Sequence, residues 1–468
     1  MKKTIYFKKD IFMEFKITEL PQILDTKIYN IIDKNLKITG ISLNSKKVKK
    51  GDLFIPFIGE NVDGHDYIEE AFKNGAVCSL SIKKNIKLKN KNIIFINDSL
   101  SSIQKLAMSY LKSLHTKVVA ITGSNGKTTT KDIISKILST KYKVHKTKSN
   151  NNNELGVPIT ILSTPCDTDI LILEMGADNF GQLKLLSELS NPDFCVITNI
   201  GESHIEFFKT RDGIAKEKFE ITRGMKKNGT LIYNGDEPLL NKLVLKNNIK
   251  NISCGFNKEN AVKVNNYSLK KDCIDFKLNI MKNLITTKIK GKHNILNITY
   301  AITIAKKMNI NEQEILDTLH EFKDITKMRL EEIPYGNNSL IINDAYNASP
   351  TSMKAAIDVL NAQVGYNYKR IILGDMYELG KNEILFHENV GKYINDIKNN
   401  TINEVISIGK LAKNITKNIK KDTIKTIHFD DINKISDYIK QNKINNEILL
   451  FKASRSMQLE KIIEYITK

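Results

Sequence analysis

An apolar, β-branched run at 118–121 leads into a turn bounded by Gly123 and Gly126. Out of that turn come Lys127, Thr128 and a segment with apolar residues at Ile133, Ile134, Ile137 and Leu138. The first run has the composition of a buried strand and the second has the spacing of a helix face, so residues 116–132, TKVVAITGSNGKTTTKD, read as strand, tight loop and helix. Glycines at both ends of the loop let the backbone approach an anion closely. The N–H groups that open the helix would point at that anion with the positive end of the helix dipole. In this reading the cradle is Gly123, Ser124, Asn125, Gly126 and Thr129, Lys127 reaches the outer phosphates, and the Thr128 hydroxyl faces a magnesium ion. The loop is a shortened variant, because only Ser124 and Asn125 separate the two glycines where the common phosphate loop has four residues. The expected ligand is ATP or GTP.

The remaining composition narrows the class. At 468 residues with 41% hydrophobic content, the chain has material for two to four packed domains. No apolar run approaches the ~20 residues of a membrane span, and the N-terminal stretch lacks a continuous apolar core with a cleavage site. A cytoplasmic protein with no membrane partner is expected. The net charge of +20 invites a nucleic-acid reading, but the lysines are spread along the whole chain and no basic stretch carries interleaved aromatics. No nucleic-acid partner is expected. The five cysteines are odd in number and form no CxxC pair, so they read as small core residues rather than a disulfide framework or zinc site.

Along the chain, residues 1–114 read as a small α/β domain in which His65, flanked by Asp66, is most simply a structural histidine. After the phosphate loop comes KTKSNNNNELGVP, whose four asparagines are equally readable as low complexity. Two apolar runs then end in chemistry-bearing groups, TDILILEMGAD in Glu174 and DFCVITNIGESH in His204. The carboxyl ends of parallel strands form the edge where open α/β sheets bind ligands, so both residues are expected beside the nucleotide, as candidate metal ligands. Lys216 and Lys218 follow in GIAKEKFEI, where either could be solvated, and Asn294 and Asn297 lie three apart on one helix face, suited to a base edge. Short strands in 255–290 suggest an antiparallel excursion, and from about residue 325 strands alternate with helices again, as in a doubly wound domain with Asp344 and Asp375 at strand ends.

The ordered set ITGSNGKTT, EMGAD, TNIGESH, AKEKFEI, GKHNILN, MRLEE, NDAYNASPTSM and LGDMYELG resembles the Mur ligase family over nearly the full length. The resemblance implies an α/β protein of three domains: 1–114 binding a UDP-sugar, a central phosphate-loop ATPase domain at 115–324, and a C-terminal Rossmann-like domain at 325–468 that closes over both. It implies ATP and Mg2+ as cofactors, with Glu174 on a first metal, His204 on a second, and Lys218 at the position of a carbamoylated lysine that bridges metal. Asn297 matches an adenine contact, Asp344 a ribose contact, and Arg329 a contact to the terminal phosphate, although the glycine usual before that arginine is Met328 here.

Within the family, NDAYNASPTSM, LGDMYELG, TKSNNNNELGVP and GENVDGHDYIEEA are most similar to members that join D-alanyl-D-alanine to UDP-N-acetylmuramoyl-tripeptide, and the DNPR of a related ligase is absent. The implied substrate contacts are Ser45, Asp63, His65, Thr147, Asn150, Asn152, Tyr346 and Asn347, with Lys127, Lys218 and Arg329 catalytic and the protein a monomer. The implied chemistry is transfer of the γ-phosphoryl of ATP to a peptide carboxylate, then attack of an amine on the acyl phosphate. Two alternatives remain at this point: another amide-forming ligase of the same superfamily, acting on folate or a different muramyl peptide and marked by turnover with L-glutamate, and a binding protein, either a nucleotide-gated interaction module or a basic nucleic-acid binder.

Overall fold

Three larger sheets and a two-stranded antiparallel pair, Phe15–Lys16 with Lys37–Ile38, hold the strands of the computed structural model, which describes residues 13–86, 88–270, 272–322, 326–336 and 338–468. The N-terminal sheet has five strands in the order Tyr29–Asn30, Ile93–Phe95, Cys78–Ser81, Asp52–Phe54 and Gly40–Ser42, parallel except at its Tyr29–Asn30 edge. Helix Ser99–Ser113 follows it, started by Asp98, whose carboxylate accepts the Ser101 N–H at 2.6 Å.

The central sheet has nine strands, with Lys117–Thr122 lying between Ile170–Glu174 and Phe194–Ile197 in parallel register. Side chains alternate along a strand, so Val118 and Ala120 enter one apolar cluster while Val119 and Ile121 enter the other. Both faces are therefore covered, which is why 118–121 is apolar without interruption. Helices Lys127–Leu138 and Lys292–Lys307 pack on one face. The other face belongs to a cluster that runs on into the N-terminal sheet, with Tyr110 donating to the Thr164 carbonyl at 2.6 Å. The antiparallel excursion is present: Val262–Leu269 pairs with Ile274–Leu278, and that strand with Ile285–Thr287.

The C-terminal sheet runs Glu331–Pro334, Leu340–Asn343, Glu447–Lys452, Tyr368–Gly374, Glu404–Ile408 and Lys425–Phe429, all parallel but the first. The expected boundary at 324 lies outside the described residues, as does most of the N-terminal stretch read for a leader. Cys78, Cys195 and Cys254 are core residues as expected, but Cys166 is exposed and Cys273 half-buried. Cys166 sits in the exposed loop after helix Gly156–Leu162. Among the described residues no helix is long and apolar enough to cross a membrane.

Candidate active site

The strand Lys117–Thr122 ends in a turn so tightly packed that neither of its glycine positions has space for a side chain. A Cβ on Gly123, at φ +146°, would lie 1.9 Å from Thr198 Oγ1, and one on Gly126, at φ +82°, would lie 2.6 Å from Asn297 Oδ1. The glycines are thus required by protein neighbours and by backbone conformation before any ligand is considered. The loop is pinned from one side: Ser124 N donates to the Asn199 carbonyl at 3.1 Å, Asn125 N to Asn199 Oδ1 at 2.8 Å, and Gly201 N to Ser124 Oγ at 2.9 Å.

Helix Lys127–Leu138 opens on the loop. Lys127 folds its ammonium back onto the Gly123 carbonyl at 2.7 Å; burial lowers its pKa, opposed by nearby Glu174 and reinforced by Arg329. Glu174, last residue of its strand, is buried and accepts from Thr128 Oγ1 at 2.9 Å and Asn152 Nδ2 at 3.1 Å, with the Lys131 ammonium 3.4 Å away. Its backbone N–H donates to Thr147 Oγ1 at 3.0 Å, so Thr147 holds the strand end instead of facing the cavity.

Helix Arg211–Phe219 separates its two lysines by two residues, about 200° of rotation. Lys216 points outward and pairs with Asp212 at 2.5 Å, whereas Lys218 is 1% exposed and its ammonium lies 5.7 Å from the centre of the Phe208 ring. Burial pushes the Lys218 pKa down to about 7, the Lys127 charge acts in the same direction, and Glu217 and Asp178 oppose it. His204 is not at a strand end as expected. It lies beyond strand Phe194–Ile197, at φ +61° before the short helix Ile205–Phe208, with Nδ1 2.6 Å from the Glu378 carboxylate of the C-terminal sheet region. That imidazole in turn holds the Glu378 pKa down.

The C-terminal sheet supplies the opposite wall. The Arg329 guanidinium lies 4.2 Å over the Tyr346 ring, and its buried Nε has no hydrogen-bond partner among the described residues. Asp344 accepts from Leu330 N at 3.1 Å and from Lys452 Nζ at 2.6 Å. Asn297 is buried, donating to Asn294 Oδ1 at 2.7 Å and accepting from Thr130 Oγ1 at 3.2 Å.

Between these walls lies a cavity of about 630 Å³. Of the sequence-predicted residues it is lined by loop residues 124–129, by Asn150, Asn152, Glu174, His204 and Lys218, and by Asn297, Arg329, Asp344, Tyr346 and Asn347. Ser45, Asp63 and His65 are not brought to it. Ser45 donates to Glu70 at 2.5 Å, and buried His65 uses both ring nitrogens, Nδ1 on Asp63 at 2.7 Å and Nε2 accepting from Ile82 N at 3.3 Å. Lys83, 2.7 Å from Asp63, is the largest cause of a carboxyl held well below the usual carboxylate range.

Sequence reasoning missed Lys131, Lys452, Glu202 and Glu378. Lys131 follows Lys127 by one helical turn and Lys452 ends a parallel strand, so both were accessible to the rules used for their neighbours. The other two depend on contacts between distant segments. Among the described residues no group of three or more histidine, cysteine, aspartate or glutamate side chains is arranged to hold a metal.

Comparison with known proteins agrees with this geometry. Residues 37–110, 121–305 and 328–455 match, in turn, family models described as the Mur ligase family catalytic domain, the Mur ligase middle domain and the Mur ligase glutamate ligase domain. A UDP-N-acetylmuramoyl-tripeptide–D-alanyl-D-alanine ligase of Bacillus subtilis is 41% identical over 434 residues, 91% of this chain and 93% of that protein. One from Buchnera aphidicola is 35% identical over 93% of each. Among solved structures, MurF of Acinetobacter baumannii superimposes with a TM-score of 0.88 at 25% identity, covering 98% of this chain and 99% of that one. MurF ligase of Thermotoga maritima in complex with ADP gives 0.82 at 30% identity, covering 92% and 97%. With all three regions matched in order and the phosphate loop, Glu174, Lys218 and Arg329 gathered on one cavity, the chain belongs to the Mur ligase family.

Proposed function

We propose that the protein joins D-alanyl-D-alanine to the peptide carboxylate of UDP-N-acetylmuramoyl-tripeptide with hydrolysis of ATP to ADP and phosphate, in peptidoglycan precursor synthesis. The observation that carries this reading is the convergence on one cavity of three basic side chains, Lys127, Lys218 and Arg329, with Asn297 and Asp344 beside them. Bringing a carboxylate up to a triphosphate crowds negative charge. Lys127 and Arg329 offset that charge from opposite walls, and the Arg329 Nε, without a partner among the described residues, is a donor available to the terminal phosphate. A carboxylate oxygen attacks the γ-phosphorus as the bond to ADP breaks; the amine nitrogen then attacks the acyl carbon, phosphate leaves, and the amine gives up a proton. Tyr346 supports the guanidinium, Asn297 and Asp344 suit adenine and ribose, and Asn150, Asn152 and Asn347 face the space left for the acceptor.

The Thr128 hydroxyl and Glu174 carboxylate, 2.9 Å apart, are hard oxygen donors that fit Mg2+ completed by phosphate oxygens and water. When bound, the ion would neutralise phosphate charge. Lys218, with its pKa at about 7, is substantially uncharged at neutral pH, the form that reacts with carbon dioxide to give a carbamate and a proton. That reaction would turn a buried amine beside the phosphates into an anionic oxygen ligand, to which His204 would add a nitrogen.

We assign 1–114 to the UDP-sugar, with Ser45, Asp63 and His65 shaping that site, 115–324 to ATP, and 325–468 to closure, in a cytoplasmic monomer. Phosphate release measured with UDP-N-acetylmuramoyl-tripeptide and ATP, with and without D-alanyl-D-alanine, tests the reading. Release that depends on D-alanyl-D-alanine supports it, and release that responds to L-glutamate instead overturns the assigned amine.

A further inference from the structure

The loop from Asn199 to Glu206 touches both walls of the cavity. Its first residues hold the phosphate loop, through Asn199 to Ser124 N and Asn125 N and through Gly201 N to Ser124 Oγ. Its later residues hold the C-terminal sheet region. Glu202 accepts from Thr351 N at 3.2 Å and Thr351 Oγ1 at 2.6 Å. The His204 ring lies 2.6 Å from the Glu378 carboxylate, and Glu206 N donates to the Glu378 carbonyl at 3.1 Å.

Thr351 is the second residue of helix Pro350–Asn361, whose first turn otherwise satisfies itself. Pro350 has no N–H, Ser352 N reaches Ser349 Oγ at 3.4 Å, and Met353 N bonds to the Ser349 carbonyl at 2.8 Å. The remaining N–H, on Thr351, is capped by a carboxylate from the other side of the cavity. On the partner segment Glu378 has φ +62° and Gly380 φ +63°, and a Cβ on Gly380 would lie 3.3 Å from Glu206 Cα. Two residues in the left-handed region, His204 and Glu378, thus meet each other face to face.

We infer that residues 199–206 form a clasp, and that Glu202 and Glu378 are positioning residues which hold the C-terminal domain against the phosphate loop so that Arg329 meets the nucleotide. The inference rests on the proposed ligase reading of the cavity. Neither carboxylate has to touch substrate. Each stabilises the arrangement in which Lys127 and Arg329 face one another, and so acts on the fraction of molecules competent to react.

The test uses the full chain and three variants, E202A, E202Q and E378A, with two measurements. Steady-state ligation should show kcat lowered about 5- to 10-fold in E202A, the size of a lost helix cap, with the KM for ATP changed less than about 3-fold. E202Q keeps an oxygen that accepts the Thr351 N–H and should stay within about 3-fold of wild type. E378A should lower kcat in the same direction as E202A.

Hydrogen exchange with a non-hydrolysable ATP analogue should show faster exchange at Thr351 in E202A, without loss of protection in strand Lys117–Thr122. Wild-type kcat in both alanine variants, E202Q as impaired as E202A, or unchanged exchange at Thr351 would overturn the clasp. Should E202A fail to fold, Thr351→Ala, which removes only the hydroxyl donor, should lower kcat about 2- to 3-fold with normal melting, and full activity there overturns it equally. Exchange needs only the nucleotide analogue, so a wild type that does not ligate D-alanyl-D-alanine while the variants still alter exchange would count against the ligase reading and for the clasp.

Discussion

Arg329 carries its guanidinium 4.2 Å over the ring of Tyr346, so the cation expected at the terminal phosphate is aimed by an aromatic face rather than by a carboxylate. A carboxylate partner would cancel charge that the phosphate needs, whereas a ring stabilises the cation and leaves its donors open. Tyr346→Phe keeps the face and should retain activity within about 3-fold. Tyr346→Ala removes an interaction of about 1 kcal/mol and frees the arginine, so kcat/KM should fall roughly 10-fold. Equal activity in both variants would show that the ring does not position Arg329.

Lys127→Ala should abolish ligation without unfolding the chain. The ammonium is buried against the Gly123 carbonyl with a lowered pKa, so its removal relieves a desolvated charge and the melting temperature should hold or rise. Loss of its charge from the transition state should cost ~100-fold or more in rate. A variant that keeps a tenth of its activity would exclude this lysine from the phosphates.

Lys218 and Lys216 separate a functional lysine from a solvated one. Lys218→Ala should be nearly inactive and partly restored by added acetate, which supplies a carboxylate to the vacated space, while Lys216→Ala, losing an exposed pair with Asp212, should match wild type. Reversal of the two phenotypes would move the site by half a helical turn.

The same burial makes a stability prediction. The folded chain holds Lys218 near a pKa of about 7 against an ordinary 10.5, so between those values the unfolded chain binds more protons. Stability therefore rises with pH across that window, and below it the full penalty of the buried charge is present. Urea titrations at pH 7 and 9 in carbon-dioxide-free buffer should show Lys218→Met lacking this contribution to the slope and gaining stability mainly at pH 7. Parallel slopes in variant and wild type would contradict the burial of a titrating amine.

Met328 occupies φ +62° immediately before Arg329. At most positions alanine is more stable than glycine, but a left-handed backbone reverses the order because the Cβ is strained there. Met328→Gly should therefore be more stable than Met328→Ala by about 1 kcal/mol in denaturant titration. Alanine equal to or above glycine would mean the segment relaxes out of this conformation.

The sequence by itself determined the βα alternation, the phosphate loop and the strand end at Glu174, because each depends on a pattern held within a few residues: two-residue alternation, helical spacing, paired glycines. Resemblance of ordered motifs carried the three-part plan and most cavity residues, from Asn150 to Asn347. Which of two neighbouring lysines is buried was already undecidable locally, since AKEKFE suits a solvated helix as well as a cavity wall; the packing of Phe208 over Lys218 decided it. Tertiary structure alone turned Thr147 onto the backbone of Glu174, engaged both nitrogens of His65 inside its own domain, and set Glu202 and Glu378 across the cavity. The physical reason is common to all of these. A hydrogen-bonding group takes whichever partner the fold brings within about 3 Å, and partners 149 residues apart, as Glu202 and Thr351 are, leave no periodic trace in the chain.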